Sequence, residues 1–261
     1  MVRSVLNCLA AAVSSPVGVA LAIAVAVAPA VHAAPVLDNG GFETFSGNDQ
    51  LVNGNAGAWQ TQSGYTFIVT PSEAINGFGL TAGNNPLMLW SAGTGGNGGS
   101  AGSITASPNG GNFLAADSMY LNTGYLLQQT VTGLTQGVTY NISFYQAAGQ
   151  QTGYTGDTTD TWTVKLGSAA AKSAPVMSNP SKNFTTWTQV TLSFVADAAS
   201  TTLQFMLTGT SPGGNQQPPF ALLDGIAIAQ TTTAVPEPAT ATLLLAGVAG
   251  LAAMRRRRRA A

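Results

Sequence analysis

The sequence predicts an all-β domain, an antiparallel β-sandwich, held between two apolar terminal segments. Three observations carry this. Short stretches of the chain alternate apolar and polar residues with period two, the pattern of strands that turn one face to a core. Glycine occurs 31 times in 261 residues, mostly between those stretches, which favours many turns over long helices. Only 7% of residues are charged, against about 25% in an ordinary soluble domain, with Gly, Ser, Thr, Asn and Gln in their place.

The N-terminal element, residues 1–33, has the layout of a secretory signal. Arg3 precedes an apolar run from Val17 to Val31, and "VHA" ends at Ala33, so a cut is expected between Ala33 and Ala34. The competing reading is a retained anchor, but the run is about 15 residues where a spanning helix needs about 20. Removal takes away Cys8 and His32, the only Cys and the only His. Residues 34–230 then hold three bases (Lys165, Lys172, Lys182) against nine acids (Asp38, Glu43, Asp49, Glu73, Asp117, Asp157, Asp160, Asp197, Asp224), a formal charge of 3 − 9 = −6. An acidic, Arg-free surface cannot neutralise phosphates, which excludes nucleic acid as a partner. Disulfides are excluded as well.

Within 34–230 the strands read in order. "VTYNISFYQ" puts Tyr140, Ile142 and Phe144 on one face; "TWTVKLG" does so with Trp162, Val164 and Leu166. "WTQVTLSFVA" aligns Val190, Leu192 and Phe194, and "TTLQFMLT" aligns Leu203, Phe205 and Leu207. In "ALLDGIAIA" the residues Leu222, Ile226 and Ile228 are expected in step. Eight to ten such strands would close a sandwich or jelly roll. The ordered set "NGGFET" (Asn39–Thr44), Trp59, "GVTY", "WTQV" and "LLDGI" resembles the galactose-binding-like jelly rolls of carbohydrate-binding modules and is spread over most of residues 36–229. That resemblance implies a sugar-binding or adhesive role and neighbouring first and last strands. Many relatives carry two consecutive Asp where this chain has the single Asp224.

The C-terminal element closes the chain. A linker (231–238) ends in Pro236-Glu237-Pro238, where the two prolines keep the backbone extended. Residues 239–254 are uncharged and would span about 24 Å as a helix, and residues 255–261 begin with Arg255, Arg256, Arg257, Arg258 and Arg259. Five guanidiniums stop transfer and stay cytoplasmic. This order resembles the PEP-CTERM sorting signal. The resemblance implies signal peptidase and an exosortase-type membrane protease as partners, a transient stay in the inner membrane, and delivery to the cell surface or an exopolysaccharide matrix. An anchor that is never cut is the other reading.

Several residues are candidates for chemistry. Glu43 and Asp224, expected on the first and last strands, would supply carboxylates for a structural calcium, which takes six to eight oxygen ligands; the competing roles are a turn cap and an acceptor of backbone N–H bonds. Trp59, Trp90, Trp162, Trp187, Tyr65, Tyr125 and Tyr154 could stack on sugar rings. Of these, Trp162 and Trp187 share the phase of core residues, whereas Trp90 and Tyr154 border polar loops and are the candidate ligand-binding pair. The Gly-rich run Gly93–Gly102 lacks the Lys-Ser/Thr ending of a phosphate loop. "DTTD" (Asp157–Asp160) would at most hold a cation weakly, as solvated carboxylates in a turn. Without His or Cys the nucleophilic triads and the usual zinc sites are unavailable. No two acids look isolated enough for a glycosidase pair, so the domain is read as non-catalytic. Two functions remain: a structural or adhesive matrix protein, and a lectin-like module with a defined glycan site.

Overall fold

A computed structural model describes residues 33–231, apart from 48, 63–64, 80–85, 97–103, 121–123 and 212–217, together with Gly247. The signal segment, the Pro236–Pro238 motif, the apolar run and the five arginines lie outside the described residues. Ala33 and Ala34 are exposed coil. Residues 31–233 form a compact unit. It has its own hydrophobic core, as an independently folding domain requires. Among the described residues no helix is long and apolar enough to cross a membrane.

The domain is an antiparallel β-sandwich, as the periodicity predicts. The strands are β1 (Gln60–Thr61), β2 (Thr66–Val69), β3 (Phe113–Asp117), β4 (Leu127–Thr132), β5 (Thr139–Gln150), β6 (Thr158–Leu166), β7 (Lys172–Ser173), β8 (Met177–Asn179), β9 (Thr188–Val195), β10 (Ser200–Thr210) and β11 (Pro219–Gln230). One sheet has the order β1-β4-β10-β6-β7, with β8 also on β6; the other runs β2-β3-β11-β5-β9. Between the sheets Phe205 meets Trp59, Phe144 and Trp162 edge to face, with centroids 5.3–6.4 Å apart. Tyr140, Ile142, Phe144, Trp162, Val164 and Leu166 all lie in this core.

A second apolar cluster covers the far side of the β2-β3-β11-β5 region. Helix α1 (Pro71–Asn76) lies over it, started by a capping box in which Thr70 and Glu73 bond each other's backbone N–H. Phe67, Phe78, Phe113, Phe184, Phe220 and Leu222 form this layer. Here the pattern reading fails in an instructive way. Leu222 is not in step with Ile226: it faces the outer cluster, whereas Leu223 and Ile226 face the inner core. A β-bulge between Asp224 and Ala227, centred on Gly225 with φ 59°, inserts the residue that shifts the phase.

Candidate functional site

Three places gather the chemistry-bearing side chains. The first ties the N-terminal stretch to β11. Glu43 is not on a strand as expected. Asn39 (φ 47°) and Phe42 (φ 56°) break the extended path, and the Asn39 amide folds the stretch back by bonding Thr44 O and Thr44 N at 2.7 and 2.9 Å. Asp224 does lie on the last strand, fully buried. The segment 107–112 joins the two acids. Ser107 Oγ donates to Asp224 Oδ2, while Asn109 Nδ2 and the Gly225 N–H donate to Oδ1 at 3.4 and 2.6 Å. Glu43 Oε1 accepts the Asn112 N–H at 3.1 Å. Burial, with the Glu43 charge added, pushes the Asp224 carboxyl up to about 6, against the hydrogen bonds from Ser107, Gly225 and Asn109. Two like charges among oxygen and amide groups form a donor set that fits a hard cation. Three donors already answer Asp224, so an ion there would have to displace one of them.

The second place is a cleft of about 510 Å³ lined by Tyr65, Leu87, Asp117, Met119, Tyr120, Gln151, Tyr154 and Pro218. The Tyr65 and Tyr120 rings stand 4.4 Å apart at 51°. Tyr65, Tyr120 and Tyr154 are each 36–41% exposed, so their faces are open to a ligand. Trp90 stands behind this wall: its indole N–H donates to Tyr154 O at 2.7 Å, and Lys182 Nζ lies 5.4 Å above its ring. Trp90 and Tyr154 are thus brought together, with Trp90 positioning the loop that carries Tyr154. Trp59 is corrected as a stacking candidate, being fully buried against Phe42 and Phe205. Trp162 is likewise core, and Trp187 packs on Phe113. Tyr125 is half-buried. Tyr120 was missed: "DSMY" shows no period, and only the turn after β3 carries its ring to Tyr65.

The third place corrects the reading of "DTTD". Asp160 is not a solvated turn carboxylate but an inward position of β6, fully buried. Desolvation pushes it up to about 7, with the Ser118 hydroxyl opposing that shift and the Asp117 charge adding to it. Asp117 is also raised, by burial, against the N–H groups of Met119 and Tyr120. The expectation that no acid is isolated enough to shift therefore fails, because the isolation comes from the packing of two sheets. Asp117 and Ser118 fall on opposite faces of the β3 path. Asp117 opens to the cleft, and Ser118 faces the interior beside Asp160. Among the described residues no three Cys, His, Asp or Glu side chains cluster as metal ligands. The Gly-rich run from Gly93 is described only as far as residue 96; Ala92–Thr94 form a 3-10 turn.

Residues 234–259 match the model of the PEP-CTERM protein-sorting motif. The chain carries a PEP-CTERM sorting motif. The motif implies an exported protein targeted to an exosortase, with a transient membrane stage before surface or extracellular localisation. No curated protein matches the sequence. Solved structures similar to this chain include an arabinose-bound GH51 α-L-arabinofuranosidase, at 14% identity and TM-score 0.40, with 77% of this chain and 27% of that one covered. The sugar-binding EclA C-terminal domain matches at 16% and 0.32, over 51% of this chain and 88% of its own. The CBM22-1 xylan-binding domain of Paenibacillus barcinonensis Xyn10C matches at 12% and 0.36, over 79% and 100%. The PEP-CTERM chain thus spans about a quarter of the arabinofuranosidase.

Proposed function

We propose that this PEP-CTERM protein is delivered to the cell surface or extracellular matrix as a non-catalytic glycan-binding domain, with the tyrosine cleft as its binding site. The observation that carries this reading is the exposed Tyr65–Tyr120 pair beside Tyr154, Asp117 and Gln151. Sugar rings present C–H faces to aromatic rings, while a carboxylate and an amide bond their hydroxyls. A hydrolase needs two carboxyls flanking the scissile bond. Asp117 is the one acid among the described lining residues, and Asp160 faces away from the cleft.

A second reading, a structural component of an exopolysaccharide matrix, rests on the opposite surface. There Gln60, Gln128 and Gln204 bond side chain to side chain across β1, β4 and β10, at 3.1 and 2.9 Å. A glycan array with the domain 34–230 separates the two. Saturable binding that Tyr65→Ala or Tyr120→Ala lowers at least tenfold, with the thermal midpoint nearly unchanged, supports the cleft. Binding unaffected by both, or no binding by a folded domain, returns the matrix reading.

Export and sorting are proposed to run through signal peptidase at Ala33–Ala34 and an exosortase at Pro236–Pro238, with Arg255–Arg259 holding the tail in the cytoplasm meanwhile. Alanine at Pro236, Glu237 and Pro238 is expected to leave the precursor uncut and membrane-bound; unchanged processing overturns that step. Glu43 and Asp224 are proposed as a structural calcium site fastening residues 39–44 to β11, tested by the calcium response of the Glu43→Gln/Asp224→Asn variant.

A further inference from the structure

Two aspartates are fully buried in this domain, and only one is met by a set of donors. Asp224 is met by three donors. For Asp160, neither carboxylate oxygen makes a hydrogen bond of ordinary geometry, and the Ser118 hydroxyl is the one side-chain group that favours its charged form. Ser118, beside it, donates to Pro219 O at 3.4 Å. A buried carboxylate is too costly to keep charged without compensation, and among the described residues no cation is placed beside it. Residues 34–230 contain three lysines and no arginine or histidine. Lys165 is on the outward face of β6, paired with Gln204. Lys172 Nζ donates to Ser193 O above the Phe194 ring. Lys182 Nζ sits over Trp90.

The inward positions of β6 and β8 beside Asp160 carry further buried oxygens. Thr158 and Asp160 are successive inward positions of β6. Asn179 of β8 is the ladder partner of Thr158, and its Nδ2 is turned away to Asn183 O at 2.9 Å. Thr158 Oγ1 and Asn179 Oδ1 are buried and unpartnered. On the other side Asp160 pairs with Gly209, and the Ser118 hydroxyl occupies the space a Cβ at Gly209 would take. The arrangement is all oxygen, from one carboxylate, one amide and two hydroxyls, carried by β6, β8 and the end of β3. Asp117 adds negative charge from the cleft side.

We propose that Asp160, Thr158 and Asn179, with Ser118 at the rim, bind a hard cation of the calcium class between the two sheets. Calcium accepts an irregular set of oxygen ligands, whereas magnesium keeps its waters and demands octahedral geometry. A cation enclosed in this way is taken up as the domain folds, so its binding free energy becomes folding free energy. This site is separate from Glu43 and Asp224 and does not depend on the cleft binding a glycan.

The test uses the domain 34–230 carrying Glu43→Gln and Asp224→Asn, unfolded in denaturant with EDTA and refolded at pH 8 with or without CaCl2. One equivalent of calcium is expected to remain after desalting. A hundredfold excess over the dissociation constant is expected to raise Tm by about 5–10 °C. Adding Asp160→Asn should abolish both responses, while the metal-free Tm rises because a lone buried charge is gone. Asn179→Leu should lower the retained calcium as well. If the double variant does not refold, the same count is made on the native domain, where Asp160→Asn should remove one equivalent and leave Asp224-dependent binding intact. No retained calcium in the parent, or an unchanged calcium response in Asp160→Asn, overturns the proposal. So does a metal-free Tm that Asp160→Asn raises in a parent blind to calcium, which would mean Asp160 is carried protonated.

Discussion

The Asp224 region and the Asp160 region solve the same problem in opposite ways. Each buries one carboxylate on a strand of a different sheet. Around Asp224 a nearby loop brings Ser107, Asn109 and the Gly225 amide, three donors for one acid. Around Asp160 the neighbours are an amide oxygen and two hydroxyls, none of which makes a hydrogen bond of ordinary geometry to its carboxylate. A buried charge is stable when donors surround it and unstable when acceptors do, unless something positive joins them. Removing the acid should therefore destabilise the first region and stabilise the metal-free second one.

The largest effect that sharpens this contrast is in the pH dependence of the domain in EDTA. Both acids have folded-state values raised above the ordinary carboxylate, so the native state binds more protons than the unfolded state between about pH 4 and pH 7. Their stabilisation is complete below about pH 4 and is lost as pH rises through about 6 for Asp224 and about 7 for Asp160. The share of Asp160 alone is about 4 kcal/mol. Urea unfolding from pH 4 to 8 measures it, and Asp160→Asn should flatten the upper part of the slope. A flat profile in the native domain would break the contrast.

Asp224→Ala comes next, at about 3 kcal/mol of lost stability by urea unfolding, since it orphans three donors and releases the segment that carries Ser107 and Asn109. Gly209→Ala places a Cβ on the Ser118 hydroxyl and costs about 2 kcal/mol, with the shift confined to the Asp160 end by hydrogen exchange. Ser107→Ala removes the hydroxyl that serves Asp224 and accepts the Asn109 N–H, for about 1 kcal/mol. A Ser107→Ala effect equal to that of Asp224→Ala would place the weight on the loop rather than on the acid.

The same contrast separates what could be read from the sequence. Strands β5, β6, β9 and β10 are legible because one face meets the core and the other meets water, so the residue type alternates. Strands β2 and β3 are buried on both faces and read "TFIV" and "FLAAD", with no period to find. Asp224 announces itself in "LLDGI", an acid followed by the glycine that makes the bulge. Asp160 sits among Thr and Asp residues that look solvated, and nothing local to them reports the sheet that folds over.

From the sequence alone follow the strands with alternating faces, the Arg-free acidic surface, and the sorting motif at residues 234–259, because each depends on neighbours along the chain. Tertiary structure decided the phase change at Gly225, the meeting of Tyr65 with Tyr120, and the burial of Asp160. These depend on which strands lie opposite one another, and pairing joins residues far apart in the chain, as Asp160 to Gly209 and Asp224 to Tyr145.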